Sequence, residues 1–246
     1  MRFEGKKVVV TGGGGGMGQA ISLEFAREGA DVAVLDMVAD NAEKVAKEVR
    51  ALGRKAIPMM VDVASYRAVQ DCIGKVLKEF KDVDVLVNGA GYAQYAPFTE
   101  LTEEMWDRSV NIHLKGTFNA THAIVPGMIA RRSGRIISIS SVAGVTGTAK
   151  GCHYSAAKAG VIGLTKALSK ELAPLGITVN AIAPGATDTH FLDAVAHDLL
   201  QMYIKSTPVG RLCTPAEIGA LCAYLASPEA GFITGQVINI SGGFYV

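Results

Sequence analysis

Lys7-Val8-Val9-Val10-Thr11-Gly12-Gly13-Gly14-Gly15-Gly16-Met17-Gly18 decides the fold of this chain. The apolar run reads as a short buried strand, and a helical pattern follows from Ala20 to Glu28, closed by Gly29. Between strand and helix lies a loop almost without Cβ atoms. Such a loop lets backbone N–H groups approach a pyrophosphate, and the following helix N-terminus adds free donors and partial positive charge. A glycine-rich turn alone is weak evidence. Its place after the first strand and before the first helix is what a dinucleotide-binding turn requires. Five consecutive glycines also weaken a fold unless a close approach needs them.

Outward from this loop, apolar runs alternate with amphipathic helical stretches. Strands are predicted at Asp31–Asp36, Ala56–Val61, Val83–Val87, Arg135–Ser140, Ile177–Ile182 and Gln236–Ile240. Helices are predicted over 40–52, 65–80, about 103–131 with a break near Pro126, about 153–173, about 189–204 and 215–226. The runs Val8–Val10, Val32–Leu35 and Val85–Val87 are continuous rather than alternating, as in strands covered on both faces. Crossover-length helices between them imply βαβ units. The expected fold is α/β: a single doubly wound Rossmann domain over residues 1–246, with a seven-stranded parallel sheet flanked by helices. No linker or composition shift divides it.

Composition narrows the function. With 24 Lys+Arg against 23 Asp+Glu, the net charge of +1 offers no bulk attraction to nucleic acid or an anionic membrane. No run of 18 apolar residues suggests a membrane span, and the charged N-terminus has no signal-peptide pattern. A cytoplasmic protein is expected. Cys72, Cys152, Cys213 and Cys222 form no C-x-x-C pair and are expected as free thiols. The five histidines form no metal-binding set, so no metal is expected.

Asp36 ends the second predicted strand. A carboxylate there can accept hydrogen bonds from the adenosine ribose of NAD, and it repels the additional phosphate of NADP. No Lys or Arg lies within 11–18 or at 37. NAD is therefore the expected cofactor. Tyr154 and Lys158 lie at i and i+4 on one predicted helix face. An ammonium there lowers a phenol's pKa, and such a tyrosine can move a proton to or from an alcohol oxygen. On spacing alone an ordinary exposed helical pair is the better reading. Ser141, just past the fifth strand, and Asn88-Gly89-Ala90-Gly91, just past the fourth, add polar groups and close backbone approach at the ligand-binding edge of such a sheet. Asn111 lies in the long predicted helix, where a kink can bring it near Lys158.

In this order and spacing the chain resembles the short-chain dehydrogenase/reductase family, in its branch of about 250 residues. The resemblance covers residues 3–246. It is carried by T-G-x-x-x-G-x-G at Thr11, Gly12, Gly16 and Gly18, by Asp62, Asn88 to Gly91, Asn111, Ser141, Tyr154 with Lys158, and Pro184-Gly185 followed by Thr189. It implies Tyr154 as general acid/base, Ser141 orienting the carbonyl, and Lys158 tuning the tyrosine and holding the nicotinamide ribose. It further implies that Asn111 holds a water in a proton relay. Gly12, Gly14, Gly15, Gly16, Met17 and Gly18 would face the pyrophosphate. Asp62 and Val63 would meet the adenine, and Asn88, Ala90 and Gly91 the adenosine side. Pro184, Gly185, Thr187 and Thr189 would hold the carboxamide side. Two positions depart from the pattern: Gly89, commonly Asn, and Met17, commonly Ile or Leu.

The expected reaction is exchange of a small-molecule secondary alcohol and a ketone by hydride transfer with NAD(H). A 3-oxoacyl-thioester reductase acting on acyl carrier protein or CoA, or a hydroxyacyl-CoA dehydrogenase, is the alternative within the family. A dinucleotide-sensing protein without turnover is the alternative from another class. Residues 186–213 are expected to form a substrate lid whose apolar face includes Phe191, Leu192, Val195, Leu199 and Met202. Gln94, Tyr95, Cys152, His153 and His190 are candidate pocket residues. The resemblance implies a homotetramer assembled through the long helices and the C-terminal strand.

Overall fold

A computed structural model describes residues 1–189 and 197–245. Seven strands among the described residues form one all-parallel sheet in the order β3-β2-β1-β4-β5-β6-β7. They are β1 (Lys7–Thr11), β2 (Asp31–Asp36), β3 (Ala56–Met60), β4 (Val85–Asn88), β5 (Gly134–Ile139), β6 (Ile177–Pro184) and β7 (Val237–Ile240). The helices are α1 (Gly16–Arg27), α2 (Ala39–Ala51), α3 (Tyr66–Phe80), α4 (Glu103–Ser109), α5 (Gly116–Arg131), the short α6 (Ala143–Thr146), α7 (Cys152–Leu172), α8 (His197–Ser206) and α9 (Pro215–Ala226). The single doubly wound α/β domain expected from the sequence is present.

Alternate residues of each strand serve opposite layers. Val8 and Val10 pack with Ile21, Phe25, Val45, Val49 and Ile218 of α1, α2 and α9 on one face. Val9 packs with Val69, Ile73, Ile124 and Leu172 of α3, α5 and α7 on the other. A central strand buried on both faces must be apolar at every position, which is why its sequence does not alternate.

The predicted break in the long helix moves. Helix α5 runs through Pro126. The interruption instead falls at Val110–Lys115, which winds as a wide π-helical turn between α4 and α5. Proline removes one N–H donor, and here the helix continues past that loss. A wide turn rotates every following side chain relative to an ideal α-helix, and such turns recur at functional sites.

The sheet order reverses between β1 and β4, so a crevice opens beyond their carboxyl ends. The two strand ends are tied together there. Gly89 and Ala90 amides donate to the Thr11 hydroxyl at 3.2 and 3.3 Å. Gly12 takes φ +65°, and a Cβ on it would lie 2.7 Å from the Ala90 Cα. A Cβ on Gly89 would lie 2.9 Å from the Thr11 carbonyl oxygen. The loops after β1 and β4 therefore press together backbone to backbone, and this contact accounts for glycine at position 89.

Candidate active site

The crevice has two lobes lined by residues at the carboxyl ends of the strands, with volumes of about 310 and 450 Å3. These lie in the usual range for small-molecule sites. Gly91 and Tyr92 line both lobes.

The 450 Å3 lobe is bounded by Gly12, Asp36, Met37, Asp62, Val63 and Ala90, and by Arg108 and Asn111 on its far side. Asp36 is held by two backbone donors. Its Oδ2 accepts from the Gly14 amide at 2.9 Å and its Oδ1 from the Val38 amide at 3.0 Å. A Cβ on Gly14 would lie 2.8 Å from that carboxylate, so glycine is needed for the bond. Helix α1 begins at Gly16 without a side-chain cap or an acidic residue in its first turn. Its first N–H groups remain available to an anion. Three other helices are closed by hydroxyl caps, at Ser65, Thr102 and Thr214. An uncapped helix start, a glycine cradle and a carboxylate at the end of β2 fit the pyrophosphate and ribose of a dinucleotide.

The 310 Å3 lobe holds Ser141, Tyr154 and Lys158, with Met17, Pro184, Gly185, Thr187 and Thr189 along the same wall. Ser141 stands at the turn after β5, where its Oγ accepts from the Ala143 amide at 3.1 Å. Its hydroxyl also lies within hydrogen-bonding reach of the Tyr154 phenol. Tyr154 and Lys158 come from the first two turns of α7. The Lys158 Nζ donates to the Ile139 carbonyl at 2.7 Å and lies 5.7 Å from the Tyr154 ring centroid. Ser140 anchors this turn from below, its Oγ donating to the Lys158 carbonyl at 2.9 Å.

The electrostatics differ from the expectation that Lys158 depresses the phenol. Burial pushes Tyr154 up to about 12, with the Ser141 hydroxyl pulling downward and Tyr95 adding to the rise. Burial pushes Lys158 down to about 7. A lysine at that value is only half charged at neutral pH, so its pull on the phenol is weak in the free protein.

Several expected site residues lie elsewhere. Asn111 does not enter the lobe that holds Lys158 and lines the other one. The wide turn places His113 in the catalytic lobe instead. Asn88 faces the interior, its Nδ2 donating to Thr121 at 3.1 Å and to Ser138 at 3.3 Å, and it ties β4 to α5 and β5. His153 is buried and lines neither lobe. Gln94 also lines neither, while its neighbours Ala93 and Tyr95 line the catalytic lobe. Gly15 and Gly16 sit at the start of α1, and Gly18 packs against the Gly12 carbonyl. Phe191, Val195, Leu192 and His190 lie outside the described residues. Within the expected lid, Ala186, Thr187, Thr189, Tyr203, Ser206 and Thr207 do line the catalytic lobe. Sequence reasoning missed Tyr92, His113, Tyr203 and Phe244, which also line it. Phe244 comes from the far end of the chain, and no spacing rule links it to Tyr154.

No helix among the described residues is long and apolar enough to cross a membrane. Residues 6–199 match the family described as short chain dehydrogenase. The chain is 39% identical over 246 residues to the 3-oxoacyl-[acyl-carrier-protein] reductase FabG of Thermotoga maritima, covering all of both chains. It is 39% identical over 242 residues to the protein of that name from Staphylococcus epidermidis, covering 98% of this chain and 99% of the relative. It is 42% identical over 241 residues to Nodulation protein G of Azospirillum brasilense, covering 97% of each. With its parallel sheet, its dinucleotide crevice and a Ser141–Tyr154–Lys158 cluster at the mouth, the chain belongs to the short-chain dehydrogenase family of nicotinamide-dependent oxidoreductases.

Proposed function

We propose that this protein is an NAD(H)-linked oxidoreductase that interconverts 3-oxoacyl and 3-hydroxyacyl thioesters. The observation that carries the reading is the convergence of Ser141, Tyr154 and Lys158 in one lobe of the switch-point crevice. Full-length similarity to relatives named 3-oxoacyl-[acyl-carrier-protein] reductase favours a thioester over other secondary alcohols and ketones. The exchange itself is still that of a secondary alcohol and a ketone.

When bound, the reduced nicotinamide supplies a hydride for the carbonyl carbon at C3 of the acyl chain. Ser141 donates a hydrogen bond to the ketone oxygen and stabilises the charge that develops there, and such a donor is worth about 10²–10³ in rate. Tyr154 gives its phenolic proton to that oxygen, completing the alcohol. A phenol held at about 12 is protonated at neutral pH and ready to donate. Lys158, pushed down to about 7, exchanges protons readily at neutral pH and can return one to the phenolate. Its ammonium would also hold the nicotinamide ribose. Oxidation of the alcohol runs the same groups in reverse.

Asp36 supports NAD over NADP. It would accept from the ribose hydroxyls, and its charge opposes an added phosphate. Arg108, the basic residue lining that lobe, is occupied over the Tyr92 ring at 4.6 Å. Gly12, Gly14, Gly15, Gly16, Met17 and Gly18 would hold the pyrophosphate, Asp62, Val63, Ala90 and Gly91 the adenosine half, and Pro184 to Thr189 the carboxamide half. Residues 186–213 would cover the substrate. Exposed Tyr66, Trp106, Phe118 and Phe232 support a homotetramer, and a cytoplasmic location follows from the same reading.

The test is NADH oxidation with 3-oxoacyl-CoA and 3-oxoacyl-acyl-carrier-protein substrates, with Tyr154→Phe as control. Turnover should occur with NADH and fall by about 10²–10⁴ in the variant. Full turnover by the variant would refute the proton-transfer role. Tight NADH binding with no turnover on either thioester would refute the substrate class.

A further inference from the structure

A column of flat groups runs through the wall between the two lobes. The Arg108 guanidinium lies 4.6 Å from the centroid of the Tyr92 ring. Tyr92 stacks on His113, with centroids 5.5 Å apart and planes at 13°. His113 in turn meets Tyr154 edge to face, at 5.1 Å and 87°. The column therefore ends on the phenol.

The hydrogen bonding of His113 is asymmetric. Its Nε2 lies 2.9 Å from the Tyr92 carbonyl. A carbonyl only accepts, so Nε2 carries the hydrogen and Nδ1 is a bare lone pair. Nδ1 is buried and has no partner among the described residues. The residue is 2% exposed. Burial, Lys158 and His153 together hold the imidazole far below its ordinary range, at about 2. The ring is thus neutral at neutral pH. It also occupies the space beside Gly91, where an added Cβ would lie 2.6 Å from its Cε1.

We propose that His113 is a positioning residue for Tyr154, wedged between the Gly91–Tyr92 turn and the phenol so that one side chain fixes both. The proposal rests on the reading of Tyr154 as the proton donor. Two requirements meet in this side chain. A flat ring is needed to shield one side of the phenol from water, and an N–H donor is needed to hold the Tyr92 carbonyl. Phenylalanine meets only the first requirement, and asparagine only the second. The wide turn at Val110–Lys115 delivers the side chain to this place.

The test separates these requirements in the free protein. Tyrosinate absorbance is titrated at alkaline pH in the wild type, His113→Asn and His113→Phe, with Tyr154→Phe subtracted to isolate one phenol. His113→Asn should move the Tyr154 midpoint down by about one pH unit, as water reaches the phenol. It should also lower kcat about tenfold with little change in KM, as expected of a misplaced catalytic group. His113→Phe should leave the midpoint within a few tenths of a unit but weaken NADH binding about fivefold, through loss of one hydrogen bond. Thermal melting checks that each variant folds. If His113→Asn does not fold, Tyr92→Leu, which removes the stack behind the imidazole, should move the midpoint in the same direction. Wild-type titration and kcat in the folded variants overturn the proposal, and so do identical shifts in His113→Asn and His113→Phe. If Tyr154→Phe keeps full turnover, the reading of Tyr154 fails first. If it is inactive while the His113 variants behave as wild type, only the positioning role fails.

Discussion

Asp36→Asn should shift the balance between NADH and NADPH toward the phosphorylated cofactor. In the wild type, the carboxylate is fixed by the Gly14 and Val38 amides at 2.9 and 3.0 Å, so it cannot swing away from an incoming phosphate. Two unit charges about 4 Å apart repel by roughly 1–4 kcal/mol across effective dielectric constants from 80 to 20. Asp36 is half-buried, so the lower part of that range applies. About 1–2 kcal/mol corresponds to roughly 5- to 30-fold in Kd. Asparagine removes the charge, keeps one acceptor for the ribose and leaves one of the two amides without its partner. NADH binding should therefore weaken only by about fivefold or less. The ratio of NADPH to NADH dissociation constants should fall by at least about fivefold. Fluorescence enhancement of each reduced cofactor, titrated into free protein at two salt concentrations, measures this without any substrate. The wild-type ratio should also narrow at high salt, because screening weakens the repulsion. An equal preference in the wild type, or an unchanged ratio in Asp36→Asn, would remove Asp36 as the selector.

Lys158→Met should stabilise the free protein near pH 7. The folded pKa of Lys158, about 7, lies below its ordinary 10.5. Between those values the unfolded chain binds the extra proton, so wild-type stability rises with pH across that window. The variant should lack this rise, and denaturant midpoints at pH 7 and 9.5 would reveal it, before ionisation of Tyr154 acts in the opposite sense. Gly18→Ala should abolish cofactor binding and lower Tm sharply, because a Cβ there overlaps the Gly12 carbonyl at the core of the loop. Thr214→Ala should cost about 1 kcal/mol in urea unfolding, since Thr214 and Glu217 form a reciprocal capping box at the start of α9. Cofactor affinity should be unchanged by that substitution.

The architecture was legible because burial on both faces leaves a strong mark. Val8–Val10, Val32–Leu35 and Val85–Val87 can hardly be anything but inner strands, and the glycines after the first of them locate the crevice. Ser141, Tyr154 and Lys158 were legible through their order relative to the strands and the family resemblance, since the i and i+4 spacing alone reads as an exposed helical pair. Asn111 lies in the interrupted stretch of the long helix, where a kink was expected, and lines the lobe next to the one that holds Lys158. Helical periodicity assumes α geometry, and the π turn at Val110–Lys115 rotates the chain so that His113 faces Tyr154. No residue type marks such a turn, whereas Pro126 advertised a break that the helix absorbs. Asn88 points into the protein because Thr121 and Ser138, distant in sequence, supply its partners. The downward pull expected on the phenol failed because burial depends on packing, which i and i+4 spacing does not encode.

The sheet order also governs what a growing chain can expose on the ribosome. β6 is buried at all eight of its positions, Ile177 to Pro184, and carries no charge. Its outer edge is covered by β7, which pairs with Ala181 to Pro184, and by residues 233–236, which bond to Val179, Asn180 and Ala181; both come late in the sequence. Until residues 233–240 emerge, a mostly apolar strand without gatekeeping charges is the open border of the sheet, a ready template for pairing with another chain. Deletion of residues 233–246 would make that state permanent. Insolubility of such a truncated protein would then follow from the missing border strand, even though Ser141, Tyr154 and Lys158 are all still encoded.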